Sequence, residues 1–187
     1  MQKERVILGI DPGTNIMGYG LIKVENTRME LITLGVVKLG AFEGQALKLR
    51  RIFERVLALV DQYHPDEVAL EAPFFGKNVQ SMLKLGRAQG VAMAAALYRD
   101  VPIVEYSPRK IKQAITGNGN ATKEQVALML ARVLPVDSDP QYYDATDGLA
   151  AAVCHYYQRN TTSADSGKGK KVAGWAKFLS ENPDRKI

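Results

Sequence analysis

The amino-acid sequence predicts an α/β fold, with one mixed sheet that carries helices on both faces. Three observations predict it: an early strand hairpin, short apolar strands that then alternate with helical patterns, and a final part with helices alone. A chain of 187 residues is long enough for one domain with a substantial core.

The first strand is predicted at 6–10, an apolar run without the polar alternation of a half-exposed strand, as expected for a central strand buried on both faces. Pro12 and Gly13 end it, so Asp11 lies at its carboxyl end. A buried ionised carboxylate is costly unless it is paired or holds a cation. Alternatively, Asp11 caps the turn through its own backbone, and the pattern alone leaves both interpretations open.

A strand hairpin follows, with strands at 17–25 and 29–39 joined by the turn at 26–28. Gly18 and Gly20 indicate either a close backbone approach or a bulge in its first strand. Next come a helix at 45–63 that ends before Pro65, a strand at 67–71, a helix from the cap Asn78 to about Arg99, and a strand at 102–105. The last part contains a helix capped by Ser107, a flexible loop at 117–120, a helix capped by Thr122, and a helix at about 140–158 capped by Asp139.

Four carboxylates are predicted to meet at one edge of this sheet. Asp11 and Glu71 each end a strand, and sites in open α/β sheets form outside the carboxyl ends of strands. Asp144 and Asp147 lie three residues apart and share one face of the last helix. Crowded carboxylates repel each other, whereas Mg²⁺ and Mn²⁺ prefer such oxygen ligands. The alternative for the helical pair is two acids favoured by the helix dipole.

Such a group of acids indicates chemistry on phosphates. Two divalent ions about 4 Å apart stabilise the attacking and leaving oxygens when a phosphodiester is displaced in line. The net charge of +5 allows a polyanionic partner without establishing one.

The composition narrows the class of protein. Contents of 46% hydrophobic and 24% charged residues are typical of a globular domain. We find neither a signal peptide nor an apolar run long enough to span a bilayer, so a cytoplasmic protein without a membrane partner is expected. Cys154 is the single cysteine, which excludes an internal disulfide.

His155 and Cys154 lie together in the last helix. His155 follows Asp147 by eight residues, about 12 Å along a helix axis. That distance is too long for a shared metal ion, so His155 is predicted to be structural. Cys154 lies among apolar residues and is predicted to be a packed thiol.

Small residues recur every four positions in the helix that begins after Asn78, at Gly86, Gly90 and Ala94. They permit close approach of another element to that face. One interpretation is packing on the chain's own sheet, and the other is a contact between two copies of the helix in a homodimer, which we favour because two-fold dimers are common.

Three motifs together resemble those of the RuvC family of bacterial Holliday junction resolvases, namely 10–14 (IDPGT), 71–78 (EAPFFGKN) and 144–150 (DATDGLA). The segments 107–112 and 117–119 match as well, so that the resemblance covers about 5–158. It implies a ribonuclease-H-like fold with a mixed five-stranded sheet, a homodimer, and metal-dependent symmetric nicking of two strands of like polarity in four-way junction DNA. The partner that it implies is the RuvA–RuvB branch-migration complex.

The same resemblance assigns roles to the acids. It makes Asp11, Glu71, Asp144 and Asp147 the catalytic and metal-binding residues. The implied cofactor is Mg²⁺, two ions per active site, with Mn²⁺ as a substitute.

The resemblance also assigns a DNA-binding set. Phe74 matches an aromatic residue that stacks on an unpaired junction base, although Phe74 and Phe75 are equally typical of core packing. Lys112 and Lys123 match basic residues near the scissile strand, and without the resemblance they would be ordinary surface lysines. Lys77 and Arg109 complete the candidate DNA-binding residues.

The motifs define the expected domain organisation. Residues 1–159 are predicted to form the nuclease domain, and 160–187 a flexible basic tail in which Trp175, Phe178 and Leu179 suggest a short helix. The resemblance assigns no role to this tail.

Three other functions are alternatives to a junction nuclease. Kinases and chaperone-like ATPases share the fold core and an Asp-x-Gly-Thr turn, but they need two such domains. A non-catalytic DNA-binding module conflicts with the four acids, because carboxylates without a metal repel phosphate. A nuclease for RNA–DNA hybrids is disfavoured by Phe74 and by the helix with the small residues.

Overall fold

The computed structural model describes residues 4–73, 78–137, 139 and 143–165. Within these ranges the chain forms five strands and five helices. In chain order they are β1 (Arg5–Asp11), β2 (Ile16–Glu25), β3 (Arg28–Lys38), α1 (Gln45–Tyr63), β4 (Glu67–Glu71), α2 (Val79–Leu97), β5 (Ile103–Tyr106), α3 (Pro108–Thr116), α4 (Lys123–Val133) and α5 (Tyr143–Asp165).

The strands form one mixed sheet in the order β3-β2-β1-β4-β5, so β1 is the central strand as predicted. Strand β1 pairs antiparallel with β2 and parallel with β4, and β5 extends the parallel part. The hairpin β2–β3 turns at Asn26, whose φ of +56° is the left-handed conformation that asparagine tolerates. The predicted mixed five-stranded sheet is confirmed.

Helices cover both faces of this sheet. Side chains of β1 alternate between two cores, since Ile7 packs with α3, α4 and α5, whereas Leu8 packs with α1 and α2. Cys154 is fully buried in the first core, as expected for a packed thiol. Among the described helices, none is both long and apolar enough to cross a membrane.

Side chains of the residues that precede helices α2, α3 and α4 cap the starts of these helices. The side chain of Asn78 accepts a hydrogen bond from the backbone N–H of Ser81, and Ser107 does the same for Lys110. Thr122 and Gln125 form a reciprocal capping box at the start of α4. These three predicted caps are confirmed.

Glycines in the sheet let the backbone of α5 pack directly against the backbone of β1 and β2. A Cβ added at Gly18 would lie 1.8 Å from the carbonyl oxygen of Asp144, and one at Gly9 would lie 2.2 Å from that of Gly148. A Cβ added at Gly20 would lie 2.6 Å from the Cα of Leu149 on α5. We call Gly9, Gly18 and Gly20 the glycine patch. The predicted close approach is therefore confirmed, whereas the bulge of the hairpin lies on β3, where Ile32 is the extra residue opposite the step from Leu21 to Ile22.

The predicted start and end of the last helix were wrong. Helix α5 begins at Tyr143, so Asp139 lies four residues before it and is not its N-cap. Instead, the backbone N–H of Asp139 donates to the side chain of Asp137. Helix α5 also continues to Asp165, beyond the predicted end at 158 and into the predicted tail. The chain divides into two compact units, Met1–Tyr157 and Gln158–Ile187, and Trp175, Phe178 and Leu179 lie outside the described residues.

The loop at 117–120 was predicted to be flexible, but its backbone is tied to α3. The side-chain amide of Gln113 donates to the carbonyl of Gly117 and accepts from the N–H of Gly119. Thr116 and Asn118 add hydrogen bonds within the loop. These bonds satisfy backbone groups that a glycine-rich loop would otherwise expose to water.

We expect Gly148→Ala to destabilise the protein, because its Cβ would lie 2.5 Å from the backbone of Gly18 and Tyr19. The expected loss of unfolding free energy is about 3 kcal/mol, measured by urea denaturation. The matched control is Gly40→Ala, whose Cβ would meet nothing within 4 Å and which should change stability by less than about 0.5 kcal/mol. Equal stability of the two variants would contradict the close contact.

Candidate active site

The register of the central strands places two carboxylates side by side. Ile10 pairs with Leu70, and Asp11 and Glu71 each follow by one residue at the ends of the parallel strands β1 and β4. Asp11 follows Gly9 by two residues, so its side chain points to the same face of the sheet, and this is the face that α5 covers. Both carboxylates therefore project from the α5 face of the sheet, at the edge predicted from the sequence.

Helix α5 adds the other two acids from its first turns. Because the glycine patch lets this helix approach β1 and β2, Asp144 and Asp147 lie next to the strand ends. Asp147 lines a cavity of about 710 Å³ together with Asp11 and Glu71. Asp144 is not on the cavity wall, but its charge is near enough to raise the pKa of Asp11 and of Asp147. The full lining consists of Asp11, Glu71, Ser107, Pro108, Arg109, Ile111, Lys112, Gly119, Asn120, Lys123, Val126, Asp147 and Ala150.

Burial and mutual repulsion keep these carboxyl groups from ionising readily. Desolvation, reinforced by the charge of Asp147, raises the pKa of Asp11 from 3.8 to about 7. Desolvation and the charge of Asp11 raise the pKa of Glu71 from 4.5 to about 8. Asp147 also has a raised pKa, again mainly because it is buried. The fold thus concentrates negative charge where water stabilises it poorly.

Lysines partly offset this charge. The ammonium group of Lys123, near the start of α4, lies 2.6 Å from Oδ2 of Asp147 and donates a hydrogen bond to it. Desolvation opposes the charge of Lys123, but Asp147 outweighs it and raises the lysine pKa. Lys112 on α3 lines the cavity, and its charge lowers the pKa of both Glu71 and Asp147. The site therefore attracts cations and also presents positive groups towards a bound anion.

The donor chemistry of the site fits a hard divalent cation. Asp11, Glu71 and Asp147 offer only carboxylate oxygens, which are the ligands that Mg²⁺ and Mn²⁺ prefer. A cation among them would also relieve the repulsion that raises their pKa values. In the part of the chain that the structure describes, no three carboxylate, histidine or cysteine side chains are close enough together to hold a metal ion as they stand.

The DNA-binding candidates are only partly described. Arg109 lines the cavity, and its side chain packs against Gly119, where an added Cβ would lie 2.7 Å from its Cγ. Phe74 and Lys77 lie outside the described residues, as does Phe75.

Sequence reasoning missed part of the cavity wall. Ser107 and Asn120 line the cavity, although the sequence marked them only as a helix cap and a loop residue. A signal for Ser107 was available in the sequence, because it begins the segment 107–112 that matches the family and it follows the last predicted strand. In the structure Tyr106 pairs with Glu71, so Ser107 lies one residue beyond that pair at the same edge of the sheet.

Comparisons with known proteins identify relatives of this chain. The family model described as crossover junction endodeoxyribonuclease RuvC matches residues 7–155. The crossover junction endodeoxyribonuclease RuvC of Christiangramia forsetii is 60% identical over 185 residues, which cover 99% of this chain and 94% of that protein. The protein of the same name from Bacteroides fragilis is also 60% identical, with coverage of 98% and 96%.

Solved structures give the same result. Thermus thermophilus RuvC in complex with a Holliday junction substrate is 34% identical, with a TM-score of 0.78 over 84% of this chain and 96% of that one. The yeast mitochondrial Holliday junction resolvase Ydc2 has a TM-score of 0.63 over 85% of this chain and 82% of that one, at 11% identity, and so shows a shared fold alone.

The raised pKa values predict how stability depends on pH when divalent cations are removed. The unfolded chain releases the protons of Asp11 and Glu71 near pH 4, whereas the folded chain holds them until about pH 7 and 8. Because the folded state then binds more protons, the free energy of unfolding should fall as pH rises from 6.5 to 8. His155 does not obscure this fall: its pKa is lowered to about 4, so its effect lies below pH 6.5.

The variant Asp11→Asn removes one of these half-buried charges. In EDTA at pH 8 it should be more stable than the unmodified protein, by on the order of 2 kcal/mol in urea denaturation. The control is Asp61→Asn, because Arg99 lowers the pKa of that exposed acid and its loss should bring no gain at pH 8. An unfolding free energy of the unmodified protein that rises between pH 6.5 and 8 in EDTA would contradict the repulsion.

Proposed function

This chain belongs to the RuvC family of crossover junction endodeoxyribonucleases and is a Holliday junction resolvase, and we propose that Asp11, Glu71, Asp144 and Asp147 are its catalytic metal-binding residues. It is a nuclease that acts in homologous recombination and DNA repair. Family membership at 60% identity also outweighs the ATPase and hybrid-nuclease interpretations of the sequence.

The observation that carries the proposal is the convergence of acids from distant parts of the chain. Asp11 ends β1, Glu71 ends β4 and Asp147 lies on α5, yet all three line one cavity. Their pKa values are raised by burial and by one another, an arrangement that costs stability and therefore points to a functional site.

RuvC-family nucleases are metal-dependent, and we propose Mg²⁺ as the metal, two ions per site, with Mn²⁺ as a substitute. Such ions supply a water of lowered pKa and Lewis-acid stabilisation of the phosphodiester oxygens. The carboxylates of Asp11, Glu71 and Asp147, which line the cavity, would hold them together with the carboxylate of Asp144 beside it. Asp11 and Glu71 sit on adjacent central strands, which fixes their spacing before any ligand arrives.

The basic residues of the cavity would hold the scissile strand. Lys112 and Arg109 project from α3, and Lys123 from the start of α4, so they border the acids on one side. Positive groups there would bind phosphate oxygens and offset the charge that develops as the bond breaks. Lys123 has a second role in this proposal, because it already balances Asp147. Lys77 is proposed as a further phosphate contact, and Phe74 as the residue that stacks on an unpaired junction base.

A homodimer is proposed because α2 exposes an apolar stripe. Val79, Leu83 and Leu97 are 65%, 53% and 51% exposed, although they are large apolar residues. Gly86 and Gly90 lie on the same helix face, and no atom of the described residues comes within 4 Å of a Cβ added there. A second copy of α2 would bury this stripe and give two active sites for two strands. Further proposals are the RuvA–RuvB complex as a partner and the cytoplasm as the place of action.

The catalytic assignment is tested with Glu71→Gln, which keeps the shape of the side chain but removes a metal-binding charge. Nicking of a synthetic four-way junction in Mg²⁺ should fall by at least about 100-fold. Junction affinity, measured by fluorescence anisotropy in EDTA, should stay within about three-fold, since removal of a negative charge does not weaken phosphate binding.

The control for that variant is Glu54→Gln, which changes an exposed acid of α1 paired with Arg50. It should nick the junction at the unmodified rate. Retention of nicking by Glu71→Gln, or equal loss of nicking and binding, would contradict the assignment of Glu71.

The dimer is tested with Leu83→Arg, which places a charge in the stripe of α2. The unmodified protein should have twice the chain mass of 20.6 kDa in multi-angle light scattering, and the variant should have the mass of one chain. Leu128→Arg is the control, because Leu128 is 55% exposed but lies on α4. A Leu83→Arg variant that remains dimeric would exclude this face as the interface.

A further inference from the structure

Three polar side chains, two of them buried and one partly buried, link α5 to the parallel part of the sheet. The hydroxyl of Tyr106 on β5 lies 2.7 Å from Nδ1 of His155 on α5. The other ring nitrogen of His155, Nε2, lies 3.0 Å from Oε2 of Glu67 on β4. His155 is 2% exposed and Tyr106 is 6% exposed. We call these three residues the Tyr–His–Glu chain.

The direction of the hydrogen bonds follows from the chemistry of the groups. Burial and the nearby charge of Arg5 lower the pKa of His155 to about 4, so the ring is neutral at pH 7. As a carboxylate Glu67 can only accept, and in that form it assigns the ring proton of His155 to Nε2. The hydroxyl of Tyr106, whose pKa is raised by burial to about 12, then donates to Nδ1. Each bond therefore has one donor and one acceptor, and the three groups hold one another in place.

The Tyr–His–Glu chain joins the elements that carry the proposed catalytic acids. Glu67 and Glu71 lie on the same strand and the same face, four residues apart. Tyr106 is the register partner of Glu71 on β5. His155 follows Asp147 on α5 by eight residues. The ammonium group of Lys110 on α3 also lies 5.3 Å from the centre of the Tyr106 ring, beside the basic residues of the cavity.

We propose that the Tyr–His–Glu chain positions the metal-binding acids, because it fixes α5 along β4 and thereby sets the spacing between Asp147 and Glu71. This inference rests on the proposed metal-binding role of those acids. The glycine patch fixes how closely α5 approaches the sheet. Hydrogen bonds of defined length and direction add a constraint along the helix axis that apolar packing supplies less sharply.

The inference is tested with Tyr106→Phe, which removes one hydroxyl and keeps the ring. The Mg²⁺ concentration for half-maximal junction nicking should rise about three-fold, which is less than the ten-fold or greater loss that follows when a group bonded directly to a metal ligand is removed. The second readout needs no substrate: the increase in Tm that a fixed concentration of Mg²⁺ produces should be smaller than for the unmodified protein. Junction affinity in EDTA should not change.

The matched control is Tyr156→Phe. Tyr156 is the next residue of α5, is 7% exposed, and donates from its hydroxyl to the carbonyl of Thr27 at 2.7 Å. The control therefore removes one buried hydroxyl from the same helix without touching β4 or β5. It should lower Tm in EDTA but leave both Mg²⁺ responses as in the unmodified protein.

Two variants of Glu67 separate positioning from folding. Glu67→Gln keeps an acceptor oxygen for Nε2 of His155 and should retain the unmodified Mg²⁺ responses, whereas Glu67→Ala should behave like Tyr106→Phe. Unchanged Mg²⁺ responses in folded Tyr106→Phe or Glu67→Ala would overturn the inference, even if both lower Tm in EDTA. If the unmodified protein itself showed no Mg²⁺ response, the proposed metal-binding role would fail instead.

Discussion

The close approach of α5 to β1 and β2 is the constraint on which the site depends. Any side chain larger than hydrogen at Gly18 would collide with the backbone of Asp144, and the same holds for Gly9 beneath Gly148. Because this contact is made backbone to backbone, the first turns of α5 lie directly beside the carboxyl ends of the central strands. Without it, Asp147 would not share a cavity with Asp11 and Glu71.

The electrostatic consequence is that ionisation of the acids in this site lowers the stability of the folded protein. Burial and crowding raise the pKa of Asp11 to about 7 and of Glu71 to about 8, so each acid ionises in the folded protein at a cost. Lys123 and Lys112 relieve part of this repulsion, and a divalent cation would relieve more. A protein that only bound DNA would gain nothing from such acids, whereas a metal-dependent nuclease needs them.

The sequence predicted the elements well wherever a local signal was strong. The helix at Gln45–Tyr63, the strand at Glu67–Glu71 and the Thr122 capping box appear where they were expected. The predicted start of α5 was wrong: Asp139 is a residue type typical of helix caps, but it lies four residues before Tyr143, and its backbone N–H donates to the side chain of Asp137. The loop at 117–120 was predicted as a loop, but the hydrogen bonds that its backbone makes to Gln113 on the neighbouring helix could not be inferred from the loop residues alone.

The candidate site could be predicted only in part. The strand-end positions of Asp11 and Glu71 follow from local pattern, whereas Asp147 joins them through a glycine contact that spans more than 100 residues, and no local pattern reports which strand a helix will cover. The most direct test of the account is anomalous diffraction from crystals soaked in Mn²⁺. The account predicts anomalous peaks within about 2.2 Å of carboxylate oxygens of Asp11, Glu71 and Asp147. Peaks confined to other parts of the molecule, with these carboxylates free of metal, would contradict it.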